Sequence, residues 1–238
     1  MKSGRIEVWP VWLQASRSTL ESLHAYLDPQ EKVRKASFYF QRLRDSYTLS
    51  QGALRLLLAA YTGMAPGRVR LRYGARGKPS LASRHDLQFN ASHSGGLALY
   101  AFADGLEIGV DVEELRPLPD YRAIARSYFC AREWRQLDQL PAEEQQQAFF
   151  LCWTRKEAYL KAVGEGLALP LDSFQVTLRP GEKARMVQLG DDERAARRWT
   201  LHNLAPAPGY AAALAYRAPA REVVLHPPCK PAQLLDRL

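Results

Sequence analysis

The chain has 238 residues, a length that allows one large domain or two smaller ones. Hydrophobic residues make up 47% and charged residues 24%, which excludes a largely disordered, collagen-like or low-complexity protein. The three cysteines are widely separated, so they exclude a disulfide framework and a CxxC zinc site and fit a reducing compartment.

The formal net charge is +8, and 25 of the 33 basic residues are arginine. A basic balance favours an anionic partner such as nucleic acid, a phosphate-rich small molecule or an acidic protein, although a solvated arginine-rich surface explains it equally well. The N-terminal segment lacks the apolar run of a signal peptide, and the apolar stretches 54–61 and 97–103 are far too short to span a membrane. We therefore expect a cytoplasmic protein that binds no membrane.

The first part of the chain predicts a strand, three helices and then more strands. Alternation over 5–13 predicts the opening strand, and capping patterns at Ser18 and Asp28 predict short helices over 19–27 and from 31 toward 40. A longer helix is predicted over about 42–61, ending at Gly63. A strand at 69–73, a basic turn at 74–79 and a polar loop at 89–96 follow. Strands over 97–103 and 107–115 are predicted to form a hairpin through Asp104 and Gly105.

The second part repeats this order. Helices are predicted over 121–129, 131–140 and 142–163, the last ending at Gly164 and Gly166, and strands follow at 174–178, 184–189, 198–204 and 210–216. The repetition predicts an α+β fold of two similar subdomains, 1–106 and 107–238, related by a pseudo-twofold axis. A ligand site is expected in the cleft between them, where small-molecule sites are common.

The first candidate motif is Gly109-Val110-Asp111-Val112-Glu113. Alternate residues of a strand face the same way, so the two carboxylates project together while the valines pack on the other face. Paired carboxylates repel unless a cation lies between them, and hard oxygen ligands suit Mg²⁺ or Mn²⁺. Taken alone, such a pair is more often a solvated strand face.

The second motif is the segment 153–161, WTRKEAYLK, on the third predicted helix of the second half. Trp153, Glu157 and Lys161 follow one another along one side of that helix at intervals of four residues. On its own, the motif is explained as well by an ordinary surface pair between Glu157 and Lys161.

The third candidate combines two loops, Arg76-Gly-Lys78-Pro79 and the segment 89–94, FNASHS, which contains Ser92 and His93. A lysine in a rigid turn, together with a hydroxyl and an imidazole, makes a plausible phosphate cradle. An ordinary loop, whose histidine forms hydrogen bonds within the protein, explains the same residues equally well.

The three motifs, in this order and spacing, resemble the 4′-phosphopantetheinyl transferases of the surfactin-synthetase-activating (Sfp) type. The matching motifs all lie within about 76–167, whereas the flanking segments agree with the family only in length and in the order of their elements. It implies a monomer of two α+β subdomains that binds coenzyme A between them. Such an enzyme transfers the phosphopantetheinyl arm to a serine of an apo acyl, peptidyl or aryl carrier protein and releases adenosine 3′,5′-bisphosphate.

The resemblance also implies residue roles. Asp111, Glu113 and Glu157 would hold Mg²⁺, with Mn²⁺ an alternative, and Asp111, Glu157 and Lys161 would act in catalysis. Glu157 is the candidate acceptor of the serine proton, directly or through metal-bound water, and Lys161 would contact a phosphate. The candidate coenzyme A contacts are Arg42, Arg76, Lys78, Pro79, Ser92, His93, Lys156 and Lys161, with Arg44 as an alternative to Arg42. Ser92 and His93 would lie near the 3′-phosphate.

Two other functions remain open from the residues themselves. One is a Mg²⁺-dependent nuclease using Asp111, Glu113 and Lys156, which leaves the two loops of the third motif without a role. The other is a non-catalytic nucleic-acid-binding module, for which the sequence offers no recognised motif. Because neither explains the joint motif set, we expect no nucleic acid partner.

Overall fold

The computed structural model describes residues 4–83, 86–164, 169–190 and 193–236, and Gly166 lies outside them. These ranges contain eight α-helices and eleven strands, so the predicted α+β class is confirmed. The helices are α1 (Arg17–Tyr26), α2 (Pro29–Ala36), α3 (Gln41–Thr62), α4 (Tyr121–Tyr128), α5 (Ala131–Asp138), α6 (Ala142–Val163), α7 (Glu193–Ala196) and α8 (Pro231–Leu235). The strands are β1 (Arg5–Trp12), β2 (Leu71–Tyr73), β3 (Pro79–Leu81), β4 (Leu87–Ser94), β5 (Leu97–Asp104), β6 (Ile108–Glu114), β7 (Phe174–Val176), β8 (Met186–Leu189), β9 (Thr200–Leu204), β10 (Tyr210–Tyr216) and β11 (Glu222–Leu225).

Two sheets repeat one topology. The first has the strand order β11-β1-β5-β4 and the second has the order β6-β10-β9, so β6, β10 and β9 take the places of β1, β5 and β4. Small two-stranded sheets, β2-β3 and β7-β8, follow the long helix of each half. The two similar halves predicted from the sequence are therefore present, and the predicted boundary at 106/107 lies between β5 and β6. The chain later returns to the first half, because β11 pairs in parallel with β1 and α8 packs against α3.

Each half is built around one helix of 22 residues, α3 or α6. Both helices end at a glycine in the left-handed region, Gly63 with φ 70° and Gly164 with φ 80°, as the sequence predicted. Each helix packs its apolar residues into a core of its own half, with Leu54 and Leu57 in the first and Phe149 and Tyr159 in the second. Among the described residues, no helix has both the length and the apolar character needed to cross a bilayer.

The buried side chain of Arg55 links α3 to the neighbouring elements by hydrogen bonds. The fully buried guanidinium of Arg55 donates to Asp28 (2.9 Å) and Glu31 (2.8 Å) at the start of α2, where these two acids also close a capping box. It also donates to the carbonyl of Val69 (2.9 Å), beyond the end of α3. Arg55 therefore joins α2, α3 and the following loop within the first half.

Lys156 makes the equivalent contacts in the second half, and its role as a coenzyme A contact stays a prediction. It occupies the same place in α6 that Arg55 occupies in α3. Its buried ammonium lies 2.8 Å from Glu133, in the first turn of α5, and donates to the carbonyls of Leu171 (2.7 Å) and Phe174 (2.6 Å). A side chain with no exposed surface and three internal partners supports the fold.

Two local predictions are wrong. Gly105 makes the expected turn, with φ 60°, but β5 and β6 enter different sheets and do not form a hairpin. Turn residues specify a chain reversal, whereas the pairing is decided by the partner strands that each half supplies. The predicted loop at 89–96 is largely strand β4, whose alternating polar side chains face β6. Strand β11 and helix α8 were not predicted.

Candidate functional site

The candidate site begins where β6 crosses α6 at backbone contact distance. A Cβ atom at Gly109 would lie 2.1 Å from the carbonyl oxygen of Ala158 and 2.2 Å from the nitrogen of Ala162. Because both neighbours are helix backbone, they cannot move aside, so the position requires glycine. This close approach sets the carboxylates of β6 beside the polar side of α6.

Asp111 is the buried centre of the site. Its Oδ1 accepts hydrogen bonds from Lys161 Nζ (2.6 Å) on α6 and from Ser92 Oγ (2.8 Å) on β4. Lys161 also donates to Ser92 (2.8 Å). The second oxygen of Asp111, Oδ2, is buried and has no hydrogen-bond partner among the described residues. A buried carboxylate oxygen left without a donor is a position at which a cation could bind.

Alternate residues of β4 hold β6 across the boundary between the halves. Ser92 donates to Asp111, Ser94 Oγ donates to Glu113 Oε2 (2.6 Å), and Asn90 Oδ1 accepts from the backbone of Val110 (2.9 Å). The polar motif thus supplies one hydroxyl to each of the carboxylates of Asp111 and Glu113. Ser92 was predicted to lie near a 3′-phosphate, but the structure turns it to the carboxylates instead.

The third carboxylate, Glu157, lies close enough to Asp111 and Glu113 to feel their charge. Burial raises the pKa of Glu157, and the negative charges of Asp111 and Glu113 raise it further. Burial likewise raises the pKa of Glu113, with Asp111 adding to the effect. Lys161 offsets part of the negative charge of these three carboxylates, and Arg116 adds positive charge near Glu113, yet the pKa values of Glu113 and Glu157 stay raised. The cluster therefore favours additional positive charge. In the described part of the chain, however, no three His, Cys, Asp or Glu side chains are already arranged to hold a metal ion.

A cavity of about 280 Å³ opens next to this cluster. Glu157 and Lys161 line it on one side, and Arg76, Lys78 and Pro79 of the predicted cradle line it on the other. The ammonium of Lys78 is bound to the second half, 2.9 Å from Glu107 Oε2 and 3.1 Å from the carbonyl of Ala162. The structure therefore brings the turn 76–79 to the site, with the exposed guanidinium of Arg76 as its other cation.

A second cavity, of about 550 Å³, adjoins the first, since both are lined by Gly77, Pro79 and Ala91. His93 lines the second cavity, and desolvation together with the positive charge of Lys161 lowers the pKa of His93. Arg34, on the exposed side of α2, lines it as well. Sequence reasoning missed Arg34, because nothing in the pattern separates it from the neighbouring lysines of a solvated helix.

Arg42 is not brought to either cavity. It lies in the exposed first turn of α3, with its guanidinium carbon 5.2 Å from the centre of the Phe40 ring. The predicted contact of Arg42 with coenzyme A stays a prediction. Arg34 is the basic side chain of the first half that lines the second cavity.

Two family models match the chain. Residues 107–215 match the 4′-phosphopantetheinyl transferase superfamily, and residues 11–104 match the N-terminal region of a 4′-phosphopantetheinyl transferase. The 4′-phosphopantetheinyl transferase HetI of Nostoc sp. is 39% identical over 216 residues, which are 90% of this chain and 88% of HetI. The chain belongs to the 4′-phosphopantetheinyl transferases. The resemblance inferred from the motifs is confirmed.

Two further relatives are more distant. The transferase is 30% identical to the 4′-phosphopantetheinyl transferase Sfp of Bacillus subtilis over 163 residues, which are 68% of this chain and 71% of Sfp. It is 29% identical to the human L-aminoadipate-semialdehyde dehydrogenase-phosphopantetheinyl transferase over 180 residues, 71% of this chain and 56% of the human protein. None of these matches supports the nuclease or the nucleic-acid-binding module. The metal and the roles of individual residues in the transferase stay predictions.

Proposed function

We propose that the transferase moves the 4′-phosphopantetheine arm of coenzyme A to a serine of an apo acyl, peptidyl or aryl carrier protein. The reaction requires Mg²⁺ and releases adenosine 3′,5′-bisphosphate. The observation that carries the proposal is the group formed by Asp111, Glu113, Glu157 and Lys161 at the edge of two joined cavities. Cavities of this size are typical of cofactor sites.

Basic side chains in both cavities support binding of coenzyme A. Lys161 and Arg76 line the first cavity, where the pyrophosphate would lie next to the carboxylates. Arg34 and His93 line the second, where they would pair with the adenosine 3′-phosphate. Charge-assisted hydrogen bonds of this kind are about twice as strong as neutral ones.

The carboxylates suit a divalent cation. Asp111, Glu113 and Glu157 would hold Mg²⁺ through oxygen atoms, its preferred ligands in proteins. Two observations fit this assignment: Oδ2 of Asp111 is unpartnered, and the pKa values of Glu113 and Glu157 are raised. A cation would give Oδ2 a partner and would reduce the repulsion that raises the two pKa values. When bound, the ion would neutralise charge on the pyrophosphate.

The chain's own residues align and assist the transfer. The carrier serine oxygen bonds to the phosphorus that bears the pantetheine arm, and the bond from that phosphorus to the bridging oxygen breaks. Adenosine 3′,5′-bisphosphate leaves with the bonding electrons. Lys161 donates to the phosphate oxygens as charge moves to them, and Glu157, whose pKa is raised by burial, accepts the serine proton.

The test is incubation of the full chain with coenzyme A, Mg²⁺ and a panel of apo carrier proteins, followed by mass spectrometry. We expect the phosphopantetheine mass on at least one carrier and adenosine 3′,5′-bisphosphate in solution. Asp111→Ala should abolish the transfer while the chain still folds, because it removes a proposed metal ligand and little core volume; the lost ion pair with Lys161 should lower the melting temperature. Chelation should stop the wild-type reaction, and addition of Mg²⁺ or Mn²⁺ should restore it. If no carrier gains the mass, the proposed function is wrong.

A further inference from the structure

An apolar pocket in the first half lies where its first strand, β1, meets its long helix, α3. The pocket has a volume of about 140 Å³, and among the described residues it shares no lining with the two cavities beside the carboxylates. We call it the α3 pocket. Its lining comes from β1, α3 and the C-terminal helix α8, through Glu7, Trp9, Leu56, Leu57, Tyr61 and Leu234.

The internal repeat makes the α3 pocket the counterpart of the carboxylate cluster. Both long helices have 22 residues, and Arg55 and Lys156 occupy equivalent positions in them. Leu56 therefore stands where α6 has Glu157. The side of α3 that lines the pocket is apolar at this point, whereas the equivalent side of α6 carries an acid.

The strands of the two halves differ in the opposite sense. A buried isoleucine and a buried valine open both strands, at 6–8 and at 108–110, so Glu7 stands where β6 has Gly109. Gly109 lets α6 approach β6 to backbone contact. Glu7 instead meets α3 through side chains, because its Oε2 accepts a hydrogen bond from the hydroxyl of Tyr61 (2.8 Å). The first half therefore places a carboxylate beside an apolar space.

Glu7 is an ionised group with one oxygen left to accept a hydrogen bond. Its Oε2 accepts from Tyr61 and lies 3.1 Å from Nε2 of His226, whereas Oε1 has no hydrogen-bond partner among the described residues. Burial acts to raise the pKa of Glu7, but the hydrogen bonds from Tyr61 and His226, together with positive charge at His226 and Arg5, outweigh it and lower the pKa. The side chain of Glu7 is 15% exposed, so a ligand in the pocket can reach it.

The rest of the lining is largely apolar. Leu56, Leu57 and Leu234 line the pocket, and the indole nitrogen of Trp9 already donates to the hydroxyl of Tyr61 (2.7 Å). An apolar cavity of about 150 Å³ holds one benzene molecule, so the α3 pocket has room for a single ring or a short branched alkyl group. An ionised carboxylate at the edge of such a space favours a ligand with one positive charge, because a charge-assisted hydrogen bond then compensates both charges for their desolvation.

We propose that the α3 pocket binds a small primary amine with an apolar body about the size of one ring. The ammonium donates to Oε1 of Glu7, and the apolar body packs among Leu56, Leu57 and Leu234. Because Leu234 belongs to α8, the bound amine also adds contacts between the C-terminal helix and α3. A ligand that binds only the folded chain raises its stability, so the amine should stabilise the protein. The site is independent of the proposed transfer reaction, since it lies apart from the cavities assigned to coenzyme A.

The experiment uses benzylamine as the probe, because it combines one ring with one ammonium group. Binding to the isotope-labelled full chain is measured by NMR titration at neutral pH, and the melting temperature is measured at increasing benzylamine concentration. We expect saturable binding of benzylamine at one site, weaker binding of neutral benzyl alcohol and no binding of benzoate. The melting temperature should rise with the benzylamine concentration. Saturating coenzyme A should not displace the amine.

Two variants test the two parts of the site. Glu7→Gln keeps a hydrogen-bond acceptor but removes the charge, so it should weaken benzylamine binding roughly tenfold to a hundredfold and leave the binding of benzyl alcohol nearly unchanged. Ala60→Leu should abolish the binding of both, because Ala60 is an exposed residue of the lining and a larger side chain there fills the space without replacing a core residue. Glu222→Gln is the matched control. It removes an exposed acid from the neighbouring strand β11, outside the described lining of the pocket, and should change neither affinity.

The melting temperature of each variant without ligand shows whether it is folded, and Ala60→Leu keeps the test decisive if Glu7→Gln destabilises the chain. Benzylamine that does not bind saturably, or that binds Ala60→Leu as tightly as the wild type, overturns the proposed site. Binding of benzyl alcohol or benzoate that is tighter than that of benzylamine overturns the proposed class of ligand. Neither result depends on transfer to a carrier protein, so the proposed function is tested separately.

Discussion

Replacing Lys156 with methionine separates a structural role from a ligand-binding role. Methionine keeps most of the volume of the lysine but removes the ammonium. The change would leave the fully buried carboxylate of Glu133 without its ion pair, and the carbonyls of Leu171 and Phe174 without their donor. We therefore expect Lys156→Met to destabilise the transferase without weakening its affinity for coenzyme A.

The expected loss is large. Breaking a buried ion pair by removing one partner costs about 3–5 kcal/mol, because the remaining charge stays buried without compensation. For a chain of this length, each kcal/mol lowers the melting temperature by about 2–4 °C, so a fall of about 6–20 °C is expected. The double variant Lys156→Met with Glu133→Gln should recover part of this loss, since it also removes the stranded charge.

The assay combines thermal or denaturant unfolding with steady-state kinetics at a temperature where every variant is folded. Lys161→Met is the matched control on the same helix. It should also lower the melting temperature, because it leaves the buried carboxylate of Asp111 without its ion pair. Unlike Lys156→Met, however, it should lose about 2–4 kcal/mol of transition-state stabilisation, as expected when one preorganised donor is removed. If Lys156→Met instead keeps the wild-type melting temperature and raises the KM of coenzyme A, Lys156 is a ligand contact and our reasoning from burial is refuted.

Two further substitutions test the site. Gly109→Ala should lower stability by about 1–3 kcal/mol or more and abolish transfer, because the new methyl group forces β6 and its carboxylates away from α6; a fully active variant of normal melting temperature would contradict the close approach. At acidic pH, where His93 is protonated, His93→Ala should raise the KM of coenzyme A roughly tenfold to a hundredfold with little change in kcat, and it should scarcely affect dephospho-coenzyme A. Because the pKa of His93 is lowered, its contact becomes charge-assisted only at acidic pH, so the difference from the wild type should widen as the pH falls. An equal loss for both substrates would place recognition of the 3′-phosphate elsewhere.

The features that were predicted correctly are those with a local cause in the sequence. The capping box at Asp28 and Glu31 starts α2, and the glycines Gly63 and Gly164 end the two long helices. The alternation around Asp111 sets both carboxylates of β6 toward the same site. Each of these features depends on residues only a few positions apart, so each could be predicted from the local sequence alone.

The predictions that failed depend on contacts between distant segments. The polar residues of β4 looked like a loop because the strand opposite them, β6, carries the carboxylates that satisfy their hydroxyl groups. The burial of Lys156 could not be predicted for the same reason, because its partner Glu133, 23 positions earlier, closes a capping box on another helix. Charge and polarity in the sequence do not reveal which segment supplies the partner.

The internal repeat offers a way to separate fold from function within this chain. Arg55 in α3 and Lys156 in α6 are basic residues at equivalent positions of the two helices. Each forms a buried ion pair with a glutamate, and that ion pair stabilises its own half. One position further along, the halves differ, since Leu56 in α3 stands where α6 has Glu157. Leu56 lines an apolar pocket of about 140 Å³, closed on one side by Leu234 of α8. The carboxylates and Lys161 are therefore specific to the second half, and the first half contributes to the candidate site through β4, whose serines hold those carboxylates in place.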